Sequence, residues 1–283
     1  MQQERELVEQ AREGSQQALE TLIKRVQDQV YNLALRMLQF PADAEDATQE
    51  ILIRVITHLS EFRQESAFST WVYRIATNYL LTTRKLRGEQ QQLTFQFLGK
   101  RLDESLAMGE ASIPDGYEQH LLVKEVQYHC TLGMLLCLDR VHRIAFLLGE
   151  IFEVSGEEGA YIMQTTPATF RKRLSRARGQ IRAFVQQKCG IVNPDNPCRC
   201  AKHVGNEIRA RVLRPEKLRY VTAERVIPDA QEVRAGVREL HELDRAAALF
   251  RTHPTYKAPD GLMKGVRQLL SSGQFALFAE DRG

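Results

Sequence analysis

Three cysteines and one histidine lie within fifteen positions of one another, in the segment CGIVNPDNPCRCAKH. Thiolates and an imidazole are ligands that can enclose a tetrahedral Zn²⁺ ion. A Cys-x-Cys pair is less typical of zinc than Cys-x-x-Cys, so a redox or copper-type response stays open, as does a turn with small buried cysteines. The segment is therefore a candidate zinc site, and no other cofactor is expected. Its candidate ligands are Cys189, Cys198, Cys200 and His203.

A second candidate site is the stretch FSTWVYRIATNYLLTTRK, residues 68–85, which contains the only tryptophan of the chain. At about 100° per residue, a helix here has an apolar stripe and an adjoining face of aromatic, amide and cationic groups. Rings can stack on exposed bases, cations bind phosphates and an amide can pair with a base edge. Core packing of Trp71, with the polar groups in solvent, is the alternative. The adjoining face holds Trp71, Arg74, Asn78, Thr82 and Lys85.

A third candidate is the basic stretch TTPATFRKRLSRARGQIR, residues 165–182. Thr166 is a favourable N-cap, and Pro167 suits the first helical position. A short helix, SGEEGAYIM, precedes it, and a polar turn at Gln164 and Thr165 joins the two. Two short helices with a tight turn and a basic second helix are typical of a DNA-binding helix-turn-helix. A narrow apolar stripe for the core comprises Phe170, Leu174, Ala177 and Ile181.

The elements that position these residues are predicted to be helices, because apolar residues recur at three- and four-residue steps. A helical segment over residues 4–39 is broken at Gly14 and Ser15, with Ser15 as an N-cap. The next helix is predicted to be capped by Asp43 and to run to about Leu59. Residues 88–116 look like a linker, and helical spacing resumes over residues 117–188. The fold class is therefore all-α.

Composition sets limits on the function. The 283 residues are enough for two or three small domains, and the net charge of +3 gives no global sign of nucleic-acid binding. Charge is instead local, because six cations and no acid lie between Ala160 and Gln187. The polar amino-terminal stretch MQQERELVEQ and the absence of a long apolar run predict a cytoplasmic protein without a membrane span. No phosphate-binding loop, nucleophile elbow or paired-histidine metal motif indicates an enzyme.

Taken together, these stretches resemble a bacterial sigma-70-family transcription initiation factor of the extracytoplasmic-function (ECF) group. The stretch PADAEDATQEILIRV resembles the family's helix that docks on the clamp helices of the polymerase β′ subunit. FSTWVYRIATNYLLTTRK resembles the promoter-melting helix that reads the minus-ten element. DRVHRIAFLLGEIF and the helix-turn-helix after it resemble the domain that reads the minus-thirty-five element. Gly159 departs from the family, which customarily has Ile there.

The resemblance implies roles for individual residues. Polymerase binding would involve Asp46, Gln49 and Glu50. The minus-ten region would meet Arg63, Phe68, Trp71, Arg74, Asn78 and Lys85. The minus-thirty-five duplex would meet Thr169, Arg171, Lys172, Arg173 and Arg176.

The resemblance also implies domains and partners. Region 2 would span residues 1–88, a linker 89–116 and region 4 residues 117–188. Core RNA polymerase, through its β′ clamp helices and β flap, and promoter DNA would be partners, and an anti-sigma factor could be a third.

Residues 189–283 extend beyond the usual length of the family. We hypothesise that this extension is a mostly helical regulatory module that docks on the sigma domains and tunes promoter engagement. An alternative function is a metal- or ligand-sensing DNA-binding repressor that does not dock on polymerase.

Overall fold

The computed structural model describes residues 2–83, 93–113, 115–221 and 242–271. This part of the chain is helical and contains no strand, so the all-α prediction is confirmed. The α-helices are α1 (Gln2–Arg12), α2 (Gln16–Leu38), α3 (Pro41–Thr57), α4 (Phe68–Thr82), α5 (Phe95–Ala107), α6 (Gln119–Leu136), α7 (Arg140–Phe146), α8 (Gly156–Ile162), α9 (Pro167–Lys188), α10 (Cys200–Arg209), α11 (Glu242–Arg251) and α12 (Asp260–Ser271).

Two of the predicted helix starts can be compared directly with the structure. The break between α1 and α2 is confirmed, because the Ser15 side chain accepts a hydrogen bond from the Ala18 amide at 3.3 Å. The predicted Asp43 cap is wrong. Phe40 occupies the N-cap position of α3 without a side-chain hydrogen bond, Pro41 is the first helical residue, and Asp43 lies in the first turn. Pro41 can begin the helix because its missing N–H would have no partner there.

The structure adds two helices that the sequence did not indicate, one within the predicted linker and one in the cysteine segment. Within residues 89–116, the helix α5 begins at a cap in which Thr94 accepts from the Phe97 amide at 3.1 Å. Within CGIVNPDNPCRCAKH, residues 189–199 are not helical, as expected, but Cys200 begins α10. Of the predicted extension, residues 222–241 and 272–283 lie outside the described residues.

The chain forms two compact units. The first comprises residues 1–87, 154–171 and 255–283, and the second comprises residues 88–153 and 172–254. The boundary within the helix-turn-helix falls between Arg171 and Lys172. The predicted domain boundaries stay predictions.

In the first unit, α2 is the central helix, and α1, α3 and α4 pack against it. Its buried positions include Leu19, Ile23, Val30 and Leu33, which recur at steps of three, four and seven residues. This repeat turns one stripe of the first half of α2 toward the core, and the second half, residues 30–38, is buried on every side. The α2 stripe thereby fixes the orientation of the two helices that carry candidate functional residues, α3 and α4.

In the second unit, α6 and α10 pack together around a core of Leu122, Val126, Val204 and Leu213. The Glu125 carboxylate is buried beside this core and accepts three backbone N–H hydrogen bonds, from residues 219–221, at 2.6 to 3.0 Å. Burial raises the Glu125 pKa above its ordinary value, although these hydrogen bonds act in the opposite direction. The carboxylate thus ties the chain beyond α10 to α6.

Candidate polymerase and nucleic-acid interface

The three residues predicted to bind polymerase lie on one face of α3. Asp46 and Glu50 are exposed and Gln49 is half-buried. Because they are three and four residues apart, they are neighbours on the helix surface. The opposite face is buried through residues such as Ala47 and Ile51, and α3 packs against α2 and α4. The structure therefore brings the predicted set together on a single outward surface.

Negative charge is concentrated in the first half of this helix. Asp43, Glu45, Asp46 and Glu50 all lie within ten residues of its start. Burial, and to a smaller extent the neighbouring charge of Asp46, raises the pKa of Glu45 above its ordinary value. The acids near the amino terminus are favoured by the helix dipole. The exposed acids of α3, Asp46 and Glu50, can attract a basic surface on a partner protein.

Three aromatic rings form a cluster at the start of α4. The ring centroids of Phe62 and Trp71 are 5.1 Å apart, and those of Phe68 and Trp71 are 5.8 Å apart. Trp71 is only 8 % exposed and Phe68 only 1 % exposed. The structure therefore buries Phe68 in the core, and it buries most of Trp71, although part of that ring lines a surface cavity. Core packing, the alternative considered for Trp71, describes this arrangement.

The polar members of the predicted minus-ten set line a surface cavity of about 770 Å³. Ligand pockets commonly measure roughly 300–1,000 Å³, so the cavity has room for a planar group of the size of a base. Arg74 and Asn78 come from α4, and Arg63 comes from the loop before it. Lys85 lies outside the described residues. Other lining residues are His58, Glu61, Phe62, Glu65, Trp71, Tyr161 and Gln164.

Arg74 does not project freely into this cavity. Its guanidinium carbon lies 4.9 Å from the centroid of the Tyr161 ring, which belongs to α8. This geometry is a cation–π contact. The helices α4 and α8 also pack against each other along their length. The first helix of the helix-turn-helix therefore covers part of the face of α4 that was predicted to read DNA.

The first helix of the helix-turn-helix has a complete capping box. The Ser155 side chain accepts from the Glu158 amide at 3.1 Å, and the Glu158 side chain accepts from the Ser155 amide at 3.2 Å. The turn that follows includes Gln164, whose φ of 49° lies in the left-handed region. The predicted Thr166 cap is confirmed, since its Oγ1 accepts from the Thr169 amide at 3.2 Å. These local bonds fix the angle at which α8 leads into α9.

The two helices of the motif approach each other closely at Gly159. A Cβ atom at this position would lie 2.3 Å from Cζ of Phe170 on α9. Phe170 is 1 % exposed, so its ring occupies the space that a larger residue at position 159 would need. The ring of Phe170 thus fills the space that the side chain of Ile, the family's customary residue, would need at position 159.

The helix α9 separates an apolar stripe from a basic face. All four residues of the predicted stripe are buried, which confirms that prediction. Arg171, Lys172 and Arg176 are exposed, whereas Thr169 and Arg173 are half-buried. One cation of the stretch has an internal role, because Arg178 is paired with the buried carboxylate of Glu150. The exposed cations can meet phosphates, and the short side chains at the helix start leave room for base edges.

The candidate zinc ligands lie close to one another in the second unit. Cys189 and Cys198 face each other in an isolated parallel bridge, and Cys198 Sγ lies 3.3 Å from His203 Nε2. The other ring nitrogen, His203 Nδ1, lies 2.8 Å from the Ser105 hydroxyl. Burial lowers the His203 pKa below its ordinary value, so the ring is held in its neutral form.

A fourth thiol, that of Cys130 in α6, belongs to the same neighbourhood. Burial raises the Cys130 pKa well above its ordinary value, with smaller contributions from Cys189, Cys198 and Cys200. Burial also raises the pKa of Cys198 to about 11. Cys130 is distant in sequence from the segment, and no local pattern connects them. A redox or copper-type response, the alternative to zinc, stays a prediction.

Among the described residues, no group of three or more His, Cys, Asp or Glu side chains could hold a metal ion. The zinc site therefore stays a prediction.

In the same described ranges, no helix is both long and apolar enough to cross a membrane.

Comparison with known proteins identifies a related family. Residues 22–90 match the family model described as sigma-70 region 2, which covers α2 to α4. Three curated relatives align over a longer part of the chain. The RNA polymerase sigma-H factor of Pseudomonas aeruginosa is 30 % identical over 191 residues, which are 65 % of this chain and 94 % of that protein.

The other two relatives align over a similar range. The ECF RNA polymerase sigma-E factor of Escherichia coli is 32 % identical over 184 residues, which are 64 % of this chain and 93 % of the relative. The ECF RNA polymerase sigma factor SigW of Bacillus subtilis is 29 % identical over 176 residues, covering 62 % and 92 % of the two chains. The alignments thus include nearly the whole of each relative and leave about a third of this chain unmatched.

Proposed function

The chain belongs to the ECF group of the sigma-70 family, and we propose that it binds core RNA polymerase, recognises minus-ten and minus-thirty-five promoter elements and separates the strands of promoter DNA. The observation that carries this proposal is the near-complete coverage of the curated relatives, which are named as RNA polymerase sigma factors. The acidic outward face of α3 and the basic face of α9 support it, because one suits a protein partner and the other suits DNA.

In this proposal, Asp46, Gln49 and Glu50 dock on the clamp helices of the β′ subunit. They are grouped on one accessible face of α3. The helix-turn-helix domain would approach the β flap. An anti-sigma factor remains a proposed further partner.

The minus-ten element would be read at the cavity beside α4. Arg63, Arg74 and Asn78 supply two cations and an amide to its wall. A base displaced from the duplex needs an enclosed surface and polar groups that reach its edge. The buried Trp71 would then support the wall of the cavity through its ring contacts with Phe62 and Phe68.

The minus-thirty-five duplex would be read by α9. Thr169 at the helix start would face base edges, and Arg171, Lys172, Arg173 and Arg176 would contact bases or phosphates. Removing a side chain that binds phosphate should weaken binding at all sequences and reduce its salt dependence. Removing a side chain that reads a base should instead relax specificity at one position.

Binding to core polymerase tests the proposal most directly. Native mass spectrometry of the purified full chain with core polymerase should show a one-to-one complex. Reversing both exposed charges, with Asp46→Lys and Glu50→Lys, should weaken the complex by about tenfold or more, because close charge pairs across an interface contribute about 1.5 kcal/mol or more. The matched control reverses two exposed acids of the first helical region, with Glu6→Lys and Glu13→Lys, and should bind as the unchanged protein does.

The repressor alternative gives the opposite result. A repressor that does not dock on polymerase would give no complex with any variant and would still bind duplex DNA. The comparisons do not favour it, because the related proteins are named as sigma factors. A transcription assay with reconstituted polymerase and a random promoter library would then identify the two elements.

A further inference from the structure

The part of the chain beyond the family's usual length returns to the first unit and is anchored on α2. The Asn32 side chain donates from Nδ2 to the Tyr256 carbonyl at 2.6 Å, and its Oδ1 accepts from the Tyr256 amide at 3.0 Å. The Asp28 carboxylate accepts from the Ala258 amide at 2.8 Å. Asn32 is 3 % exposed and Tyr256 is 3 % exposed. A buried amide that pairs with both polar groups of one backbone residue specifies the position of that segment.

The helix α12 follows this anchor and lies on α3. Leu262 and Met263 are buried, and α12 packs against α3. Farther along the helix, Arg267 makes two hydrogen bonds to the Glu20 carboxylate, at 3.0 and 2.9 Å. This bidentate pair fixes the orientation of α12 as well as its position.

The helix α12 comes close to α3 at Gln49. A Cβ atom at Gly265 would lie 3.1 Å from Gln49 Nε2, which is closer than a Cβ atom ordinarily comes to a neighbouring atom. Glycine at this position therefore lets the backbone of α12 come close to α3. Gln49 is also the middle residue of the set proposed to bind polymerase, between Asp46 and Glu50. Its half-buried state is explained by this neighbour.

We infer that residues 255–271 are a built-in competitor of core RNA polymerase. This segment occupies the docking surface of α3 and must leave it before polymerase can bind. The inference rests on the proposed function, because it assigns α12 and polymerase to the same surface. Two bodies cannot pack against the Gln49 side of α3 at once. The apparent affinity for polymerase is then the intrinsic affinity multiplied by the fraction of molecules in which the segment has been released.

A pair of glycine substitutions in the full chain tests this competition. Gly265→Glu places a carboxylate beside Gln49, between two acids of α3, and should displace α12 without changing any residue of α3. The matched control is Gly261→Glu, the same substitution in the same helix, at an exposed position where a Cβ would have no neighbour within 4 Å. If the released fraction rises tenfold, we expect Gly265→Glu to bind core polymerase about tenfold more tightly than the unchanged protein does. We expect Gly261→Glu to bind as the unchanged protein does.

Hydrogen exchange gives a second measurement that needs no variant. The amides of Tyr256 and Ala258 should be protected in the free protein and should lose protection when core polymerase is added. Retained protection in the complex would overturn the inference, and so would a Gly265→Glu variant that binds no more tightly than its control. Neither result would affect the proposed function if the Asp46 and Glu50 reversals still weaken binding. Failure of every variant to bind polymerase would instead overturn the proposed function.

Discussion

The guanidinium of Arg74 lies 4.9 Å from the centre of the Tyr161 ring, so a side chain proposed to meet the minus-ten element is in contact with the helix-turn-helix motif. The two residues come from α4 and α8, which pack together in the first unit. If Arg74 is to contact DNA, this contact must open. The structure therefore shows a state in which the proposed DNA-reading face of α4 is partly occupied by another segment of the same chain.

Removing the Tyr161 ring should make Arg74 available. A cation–π contact at a partly exposed site contributes about 0.5–1 kcal/mol, so Tyr161→Ala should raise the affinity for a single-stranded minus-ten oligonucleotide by about two- to fivefold. Fluorescence anisotropy with a labelled oligonucleotide measures this change. Tyr161→Phe keeps the ring and should behave as the unchanged protein. A weaker interaction in Tyr161→Ala would show that the contact does not compete with DNA.

A methyl group at position 159 should destabilise the helix-turn-helix. Its Cβ would meet the buried ring of Phe170, and overpacking of this kind costs about 1–3 kcal/mol. Gly159→Ala should therefore lower the free energy of unfolding, measured by circular dichroism in urea. The matched control, Gly179→Ala in α9, meets nothing within 4 Å and should be neutral or slightly stabilising. Equal effects of the two substitutions would contradict the close packing at Gly159.

Stability should fall as the pH drops toward and below the ordinary pKa of histidine, partly because of His203. Burial lowers the pKa of this ring in the folded state, and the nearby charge of Lys202 acts in the same direction, although Glu207 opposes it. The unfolded chain therefore takes up the proton at a higher pH than the folded protein, so protonation favours unfolding in that interval. His203→Asn should reduce the slope of stability against pH below about 6.5. An unchanged slope in urea titrations at several pH values would exclude His203 as a contributor.

The zinc hypothesis predicts one equivalent of zinc in protein purified without chelators, and loss of that zinc in Cys198→Ser. Mass spectrometry of the metal content and thiol titration can be made on the same sample. Cys137→Ser is the control, because this cysteine lies near the end of α6 and its Sγ donates to the Gly133 carbonyl at 3.4 Å. A metal-free protein with five reactive thiols after unfolding would exclude zinc and leave the buried cysteines as packing residues.

Local patterns predicted several features correctly, because the responsible contacts are close in sequence. The Ser15 cap, the Thr166 cap and the apolar stripe of α9 each depend on residues within a few turns of one another. The buried state of Trp71 depends instead on Phe62, a residue of the preceding loop, and could be stated only as an alternative.

The missed features depend on contacts that are distant in sequence. The helix α5, which lies within the predicted linker, was not predicted because its apolar repeat is weak: within it, only Leu98 and Gly99 are buried. Its stabilising partners are remote, as in the ring pair of Phe95 and Phe184, whose centroids are 5.2 Å apart. The position of α12 on α3 was missed for the same reason, since no local pattern around Gly265 indicates that Gln49 is its neighbour.

The anchor between Asn32 and Tyr256 also has a consequence during synthesis. The residues of α3 leave the ribosome about 200 residues before those of α12, a delay of about 10–40 s at typical elongation rates of roughly 5–20 residues per second. During that time Asn32 lacks its backbone partner and the Gln49 side of α3 has no cover. A nascent chain thus exposes the Gln49 side of α3 before α12 has been synthesised. During that interval the surface is open to a binding partner.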